Sequence, residues 1–211
     1  GNKTQSGKPI LSNDPHLGLT LPSIWFEIQI KTPAFNAYGV SFPGLPGVVI
    51  GFNDSISFGF TNAGRDVKDY YEIQFRDAGK EEYWFDSSWK PTTRRVEQIH
   101  IKNAKSIEDT VAYTVFGPVM YDRSFKTDLT EEKAYALRWV AHDTSNILKM
   151  WLQLNRARNY NDYLEAIKHF NVPGQNMIFA SHSGDVALWQ QANFPLRWKD
   201  QGLMIMPGED S

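Results

Sequence analysis

The sequence predicts a mixed α+β fold, mostly antiparallel sheet with two consecutive helices. Three observations predict it. Strand-like runs follow one another through the first two thirds of the chain, separated by turn chemistry. The apolar period then changes once, to that of two helices in succession. Two further strand runs follow them. Helices grouped in this way do not alternate with strands, which argues against a doubly wound parallel sheet.

The elements follow in order. SIWFEIQI (23–30) alternates in polarity and carries β-branched and aromatic residues. GVVIGF (47–52) is a short apolar run between glycines, the pattern of a strand buried on both faces. Asn53-Asp54 is a tight-turn signal, so SISFGFTN (55–62) is expected to return as a hairpin. KDYYEIQF (68–75), YWFD (83–86), VEQIHI (96–101), TVAYTVFGPVMY (110–121) and AYALRWVA (134–141) continue the strand pattern, with Asp77-Ala78-Gly79-Lys80 as a turn. From Asn146 to Ala157, Ile147, Met150, Trp151 and Leu154 fall on one helical face, with Thr144 or Ser145 as N-cap. A second helix runs from Asn161 to Phe170, its stripe Tyr163, Leu164, Ile167 and Phe170, and VPGQ stops it. NMIFAS (176–181) and DVALWQ (185–190) form a last hairpin around His182-Ser183-Gly184.

Composition bounds the function. Hydrophobic residues make up 41% of the 211 and aromatics 14%, which is globular rather than disordered composition. A net charge of -2 with mixed signs offers no basic footprint for nucleic acid. No apolar run is long enough to span a bilayer. Cysteine is absent, which removes disulfides, a thiol nucleophile and thiolate metal sites. No organic cofactor is implied. Both ends read as cut from a longer protein, so residues 1–211 are expected to be a single fragment of one catalytic domain.

Residues with chemical potential are scattered. His16 stands alone behind the Ser12-Asn13-Asp14-Pro15 turn. The five histidines form no HExxH pair, so a catalytic zinc site has little support. Ser181-His182-Ser183 resembles triad material, but residues adjacent in sequence rarely make a triad, and a turn is the favoured reading. Asp66 and Asp69 could turn onto an oxygen-lined calcium cavity, or form a solvated acidic edge. FTNAGRD (60–66) could present outward N–H groups, and Asn176 could donate an amide to an oxyanion; an ordinary hairpin exit and a loop tie are the alternatives.

Taken together, SGKPILSNDPHLGLTLPSIWFE, FPGLPGVVIGFNDSISFGFTNAGRDVKDYY, GPVMYD, ALRWVAHDTSN and VPGQNMIFASHSGDVALWQQANFPLR resemble the catalytic chain of the penicillin acylases. These are N-terminal nucleophile hydrolases. The resemblance implies a four-layer αββα sandwich, partial here. It implies a precursor that cuts itself to expose an N-terminal serine, whose own α-amine acts as base near its ordinary pKa of about 8. It implies that His16 orients that serine, that the backbone of Asn62 or Ala63 (Ala63 the better match) and the side chain of Asn176 form the oxyanion hole, and that Arg197 orients this region and the substrate. Asp66, the Lys68 carbonyl and Asp69 fall at calcium-site positions. Leu17, Ile50, Phe60 and Val119 fall at acyl-pocket positions, where the Phe60 ring would shorten the pocket and make benzylpenicillin a poor substrate.

The same resemblance places the nucleophile before Gly1, so that Ser6 and Ser12 do not replace it and this polypeptide alone would be inactive. The partner α chain of the precursor, an N-acyl amide substrate such as a β-lactam side chain or an acyl-homoserine lactone, and a periplasmic or extracellular location are its further implications. A non-catalytic, calcium-supported β-rich binding module is the competing reading. A retaining glycosidase would need two carboxylates about 5–5.5 Å apart, and no pair recommends itself.

Overall fold

The computed structural model describes residues 1–15, 17–125, 128–130 and 133–210. Its first strands are β1 (Phe26–Lys31), β2 (Asn36–Ser41), β3 (Ile50–Asn53), β4 (Ile56–Asn62) and β5 (Lys68–Gln74). β6 (Glu82–Phe85), β7 (Ser88–Pro91), β8 (Thr93–Ile99), β9 (Ile107–Thr114), β10 (Gly117–Tyr121) and β11 (Lys133–Trp139) follow. Then come α1 (Ile147–Leu154), α2 (Tyr160–Ile167), β12 (Gln175–Ser181), β13 (Val186–Gln191) and the short β14 (Met206–Pro207). The expected single stretch divides into two compact units, Gly1–Asp66 with Asp143–Phe194 and Val67–His142 with Pro195–Ser211.

The first unit is built on a six-stranded sheet in the order β1-β2-β3-β4-β12-β13. Its pairs are antiparallel throughout. Strand alternation puts Phe58 and Phe60 of β4 beside Met177 and Phe179 of β12 on one face. That face packs under Met150, Trp151 and Leu154 of α1 and Tyr163 and Ile167 of α2. Full burial of each large apolar side chain is worth about 1.5–3 kcal/mol, which is why two eight-residue helices persist here. The Asn159 side chain caps α2, accepting from Asp162 N at 2.9 Å.

Asparagines lock α1 to the strands. Asn155, buried at its C-terminus, accepts from Val48 N and donates to Val48 O, each at 2.8 Å. The Asn53 side chain donates to the carbonyls of Asn155 and Ala157 at 3.1 and 2.8 Å. Its Oδ1 accepts from the amides of Ser55 and Ile56, closing the expected β3–β4 turn. One residue therefore makes the hairpin and ties the helix.

The second unit carries a six-stranded sheet in the order β14-β5-β11-β10-β9-β8, with β6 and β7 as a separate hairpin. Ile73, Phe75, Tyr83, Ala112, Ala134 and Ala136 are its core.

Several details differ from the sequence expectation. β7 and the short β14 are strands it did not name. β2 is an additional strand, hidden because Gly39 interrupts the apolar pattern. Gly39 pairs with Gly51, and a Cβ at Gly39 would lie 2.1 Å from Ile50 O, so the two strands need glycine at this close approach. The run 110–121 is two strands turning at Val115-Phe116 rather than one. The N-cap of α1 is Asn146 rather than Thr144 or Ser145, with no side-chain cap bond. The helix also stops at Leu154, because Asn155 is held by Val48.

Candidate active site

A cavity of about 530 Å³ opens within the first unit. Ile50 and Phe60 of the sheet form one wall, and Ile147 and Trp151 of α1 another. Trp25, Phe42 and Leu45 close it from the loops. Its aromatic rings support one another: Phe60 meets Trp151 edge-on at 5.2 Å, and Trp25 lies 4.3 Å from Phe42. Asp14, Thr61, Asn62 and Gln175 supply polar groups among these apolar surfaces. Size and lining suit an apolar acyl group.

The expected pocket residues Leu17, Ile50 and Phe60 all line this cavity. Val119 does not, and that expectation is corrected: it lies in β10 of the second unit, packed against that unit's core. The strand carrying it pairs with β9 and β11, so its neighbours are set by that sheet. His16 lies outside the described residues. Pro15 and Leu17, on either side of it, line the cavity.

The β4–β12 register brings together the next expected pair. Asn176 stands opposite Thr61, and Gln175 opposite Asn62. Asn176 Nδ2 donates to Asn62 O at 3.3 Å and to Thr61 Oγ1 at 3.4 Å. Gln175 Nε2 donates to Asn62 Oδ1 at 3.0 Å, holding that side chain. The preference for Ala63 as backbone donor is corrected, because its N–H is engaged by Gly174 O at 3.0 Å. Hydrogen bonding alternates along an antiparallel pair, so the Asn62 N–H points away from β12. It lies beyond Phe58, the last β4 residue to pair with β3. Asn62 is therefore the donor the geometry favours.

Sequence reasoning missed Gln190 and Arg65. Gln190 Nε2 donates to Asn176 Oδ1 at 3.2 Å, and Arg65 Nε donates to Gln190 Oε1 at 2.8 Å. The expected 176–190 hairpin already sets Gln190 opposite Asn176, as observed. No local signal could have added Arg65, which arrives from the far end of β4.

Arg197 makes an ion pair with Asp69. In the second unit its Nη2 lies 3.0 Å from the Asp69 carboxylate and 3.3 Å from Lys68 O. Asp69 is buried. Gly202, at φ +83°, covers the pair, and a Cβ there would come within 2.6 Å of Asp69 Oδ1. Burial, and next the Asp69 charge, push the Tyr71 phenol above its ordinary value of 10.0. Two of the three expected calcium ligands thus face a guanidinium, whose positive charge would repel the ion. As arranged, these residues do not fit calcium. Among the described residues, no group of three or more His, Asp or Glu side chains is placed to hold a metal.

The family model described as penicillin amidase matches residues 1–211. The chain belongs to the penicillin amidase family. Acyl-homoserine lactone acylase QuiP of Pseudomonas aeruginosa is 32% identical over 219 residues, which cover 99% of this chain and 25% of that protein. The penicillin acylase 2 proenzyme of Pseudomonas sp. (strain SE83) is 24% identical over 98% of this chain and 26% of its own length. The thermostable penicillin G acylase from Alcaligenes faecalis, a solved structure, superposes with a TM-score of 0.80 at 26% identity, over 92% of this chain and 35% of that one. The antiparallel sheets and paired helices are thus part of the N-terminal nucleophile hydrolase fold of penicillin acylases. The chain spans about a quarter of the length of the curated relatives it matches. No described helix is long and apolar enough to cross a membrane.

Proposed function

We propose that the protein carrying this chain is an amidohydrolase that cleaves an N-acyl amide bond through an N-terminal serine. The nucleophile and a partner α chain would come from the rest of the precursor, in a periplasmic or extracellular enzyme, and these 211 residues would be inactive alone. The observation that carries the reading is the apolar 530 Å³ cavity with Asn62 among its lining and Asn176 bonded to the Asn62 carbonyl. The acyl chain enters the cavity. The serine hydroxyl attacks the carbonyl and its α-amine takes the proton. Negative charge develops on the former carbonyl oxygen, where the Asn62 N–H and Asn176 Nδ2, giving up its contact with Thr61 Oγ1, would receive it. The amine product leaves, and water releases the acid. His16 would orient the serine. Acyl-homoserine lactones and β-lactam side chains fit this scheme, with the acyl group apolar in either case. The binding-module alternative is weaker, because its calcium support falls on groups that hold Arg197.

The test is acid release from a panel of N-acyl amides by the enzyme processed from the complete precursor. Asn176→Ala should lower kcat by about 10²–10³ with a much smaller change in KM. Full activity in that variant would remove Asn176 from the oxyanion hole. No acid released from any panel member by the unmodified enzyme would remove the hydrolase reading.

A further inference from the structure

A side-chain amide has two ends of nearly identical shape, a donor and an acceptor, and only its neighbours decide which faces which way. In the oxyanion reading, on which this inference rests, Asn176 must present nitrogen rather than oxygen. What enforces that choice is a directed chain of hydrogen bonds in the first unit. It starts at Arg65, whose guanidinium can only donate, and reaches Gln190 Oε1 at 2.8 Å. Gln190 must then turn Nε2 toward Asn176, which it reaches at 3.2 Å. Asn176 must accept with Oδ1, and its Nδ2 is left facing Asn62 O at 3.3 Å. That carbonyl can only accept. Both ends of the chain are chemically unambiguous and they agree, so the polarity of both amides between them is set.

We propose that Arg65 and Gln190 are positioning residues that hold the Asn176 amide with its nitrogen toward the oxyanion. They act through Asn176, so their loss should appear in kcat rather than KM. Reversing the polarity should also cost more than cutting the chain. Arg65→Glu puts an acceptor at the start. Gln190 then turns its nitrogen toward the introduced carboxylate and its oxygen toward Asn176, whose Oδ1 must meet either that oxygen or Asn62 O, so the amide nitrogen is no longer held toward the oxyanion from both sides. In Gln190→Met the chain is cut, and Asn176 keeps its bond to the Asn62 carbonyl.

The experiment uses the enzyme processed from its complete precursor, with active sites titrated so that kcat refers to matured molecules. R65E should lose about 30-fold in kcat with KM within about threefold, whereas R65K, which keeps a donor, should lose no more than about threefold. The double variant R65E/Q190M should recover to the level of Q190M alone, about fivefold below the unmodified enzyme. Removing a second contact restores activity only if that contact transmits the inversion; a structural or simple charge effect would add instead. Equal kcat in R65E and R65K, or an additive double variant, overturns the proposal. Neutron diffraction of the deuterated protein reads the amide orientation without any substrate. It should show deuterons on the Asn176 atom facing Asn62 O and on the Gln190 atom facing Asn176, with the Gln190 amide reversed in R65E. The same orientation in both proteins overturns the proposal even if the enzyme hydrolyses nothing in the panel, an outcome that by itself sinks only the hydrolase reading.

Discussion

Asn155 shows how much one side chain decides. It satisfies both the N–H and the C=O of Val48 inside the core, so no apolar residue can replace it without orphaning two buried backbone groups. Asn155→Ala should destabilise by about 2–4 kcal/mol, read from a lowered urea midpoint at unchanged slope; a loss below about 0.5 kcal/mol would mean the Val48 groups find other partners. Arg197 is the charged counterpart. Arg197→Met leaves the buried Asp69 carboxylate without its guanidinium, and should cost about 3–5 kcal/mol. Restoring stability in R197M/D69N would show that the uncompensated charge, rather than lost packing, was the cause.

At the scale of elements, the β4–β12 pairing does most to build the site. It fixes which residues oppose one another, and with them the contact between Asn176 and Asn62 O. It also turns Phe60 toward α1, where the ring meets Trp151 and walls the cavity. Phe60→Ala should therefore do two things. It should lower stability by about 3–5 kcal/mol. It should also shift kcat/KM toward bulkier or longer acyl groups by about tenfold, measured as the ratio for two acyl amides of different size. An unchanged ratio would place the acyl group elsewhere. The helices were legible from their apolar stripes, since Met150, Trp151, Leu154, Tyr163, Ile167 and Phe170 are all buried as their spacing indicates. β2 was not, because a strand that needs Gly39 for close approach loses the periodic signal that would reveal it.

For the whole molecule, raised phenols contribute to the behaviour in alkali. Tyr163 is buried, and its hydroxyl finds no hydrogen-bond partner among the described residues. Burial first, and then Tyr160, raise its pKa well above the ordinary 10.0. Tyr70 and Tyr71 are also raised, chiefly by burial. The unfolded chain loses these protons near pH 10 while the native state keeps them, so the native state binds more protons above that pH. Stability is then fully present below about pH 10 and falls as pH rises through the raised values. Tyr163→Phe should flatten that fall, measured by urea midpoints at pH 9 and 11. At neutral pH it should cost little, because it removes a buried hydroxyl without a described partner. An equally steep alkaline loss would assign the effect to other groups.

Sequence by itself determined the class of the fold, most of its strands, its two helices in order, the faces those helices bury and the family. Each of these rests on local periodicity, turn chemistry or a run of neighbouring residues. It also brought forward Asn62, Ala63 and Asn176 as candidates. Only the tertiary structure showed that the Ala63 amide is given to Gly174. It likewise moved Val119 out of the pocket, set Arg197 on Asp69 and ran a hydrogen-bonded chain from Arg65 to Asn176. Val119 apart, these depend on which strands pair and in what register, and so on groups more than a hundred residues apart, which no local pattern records.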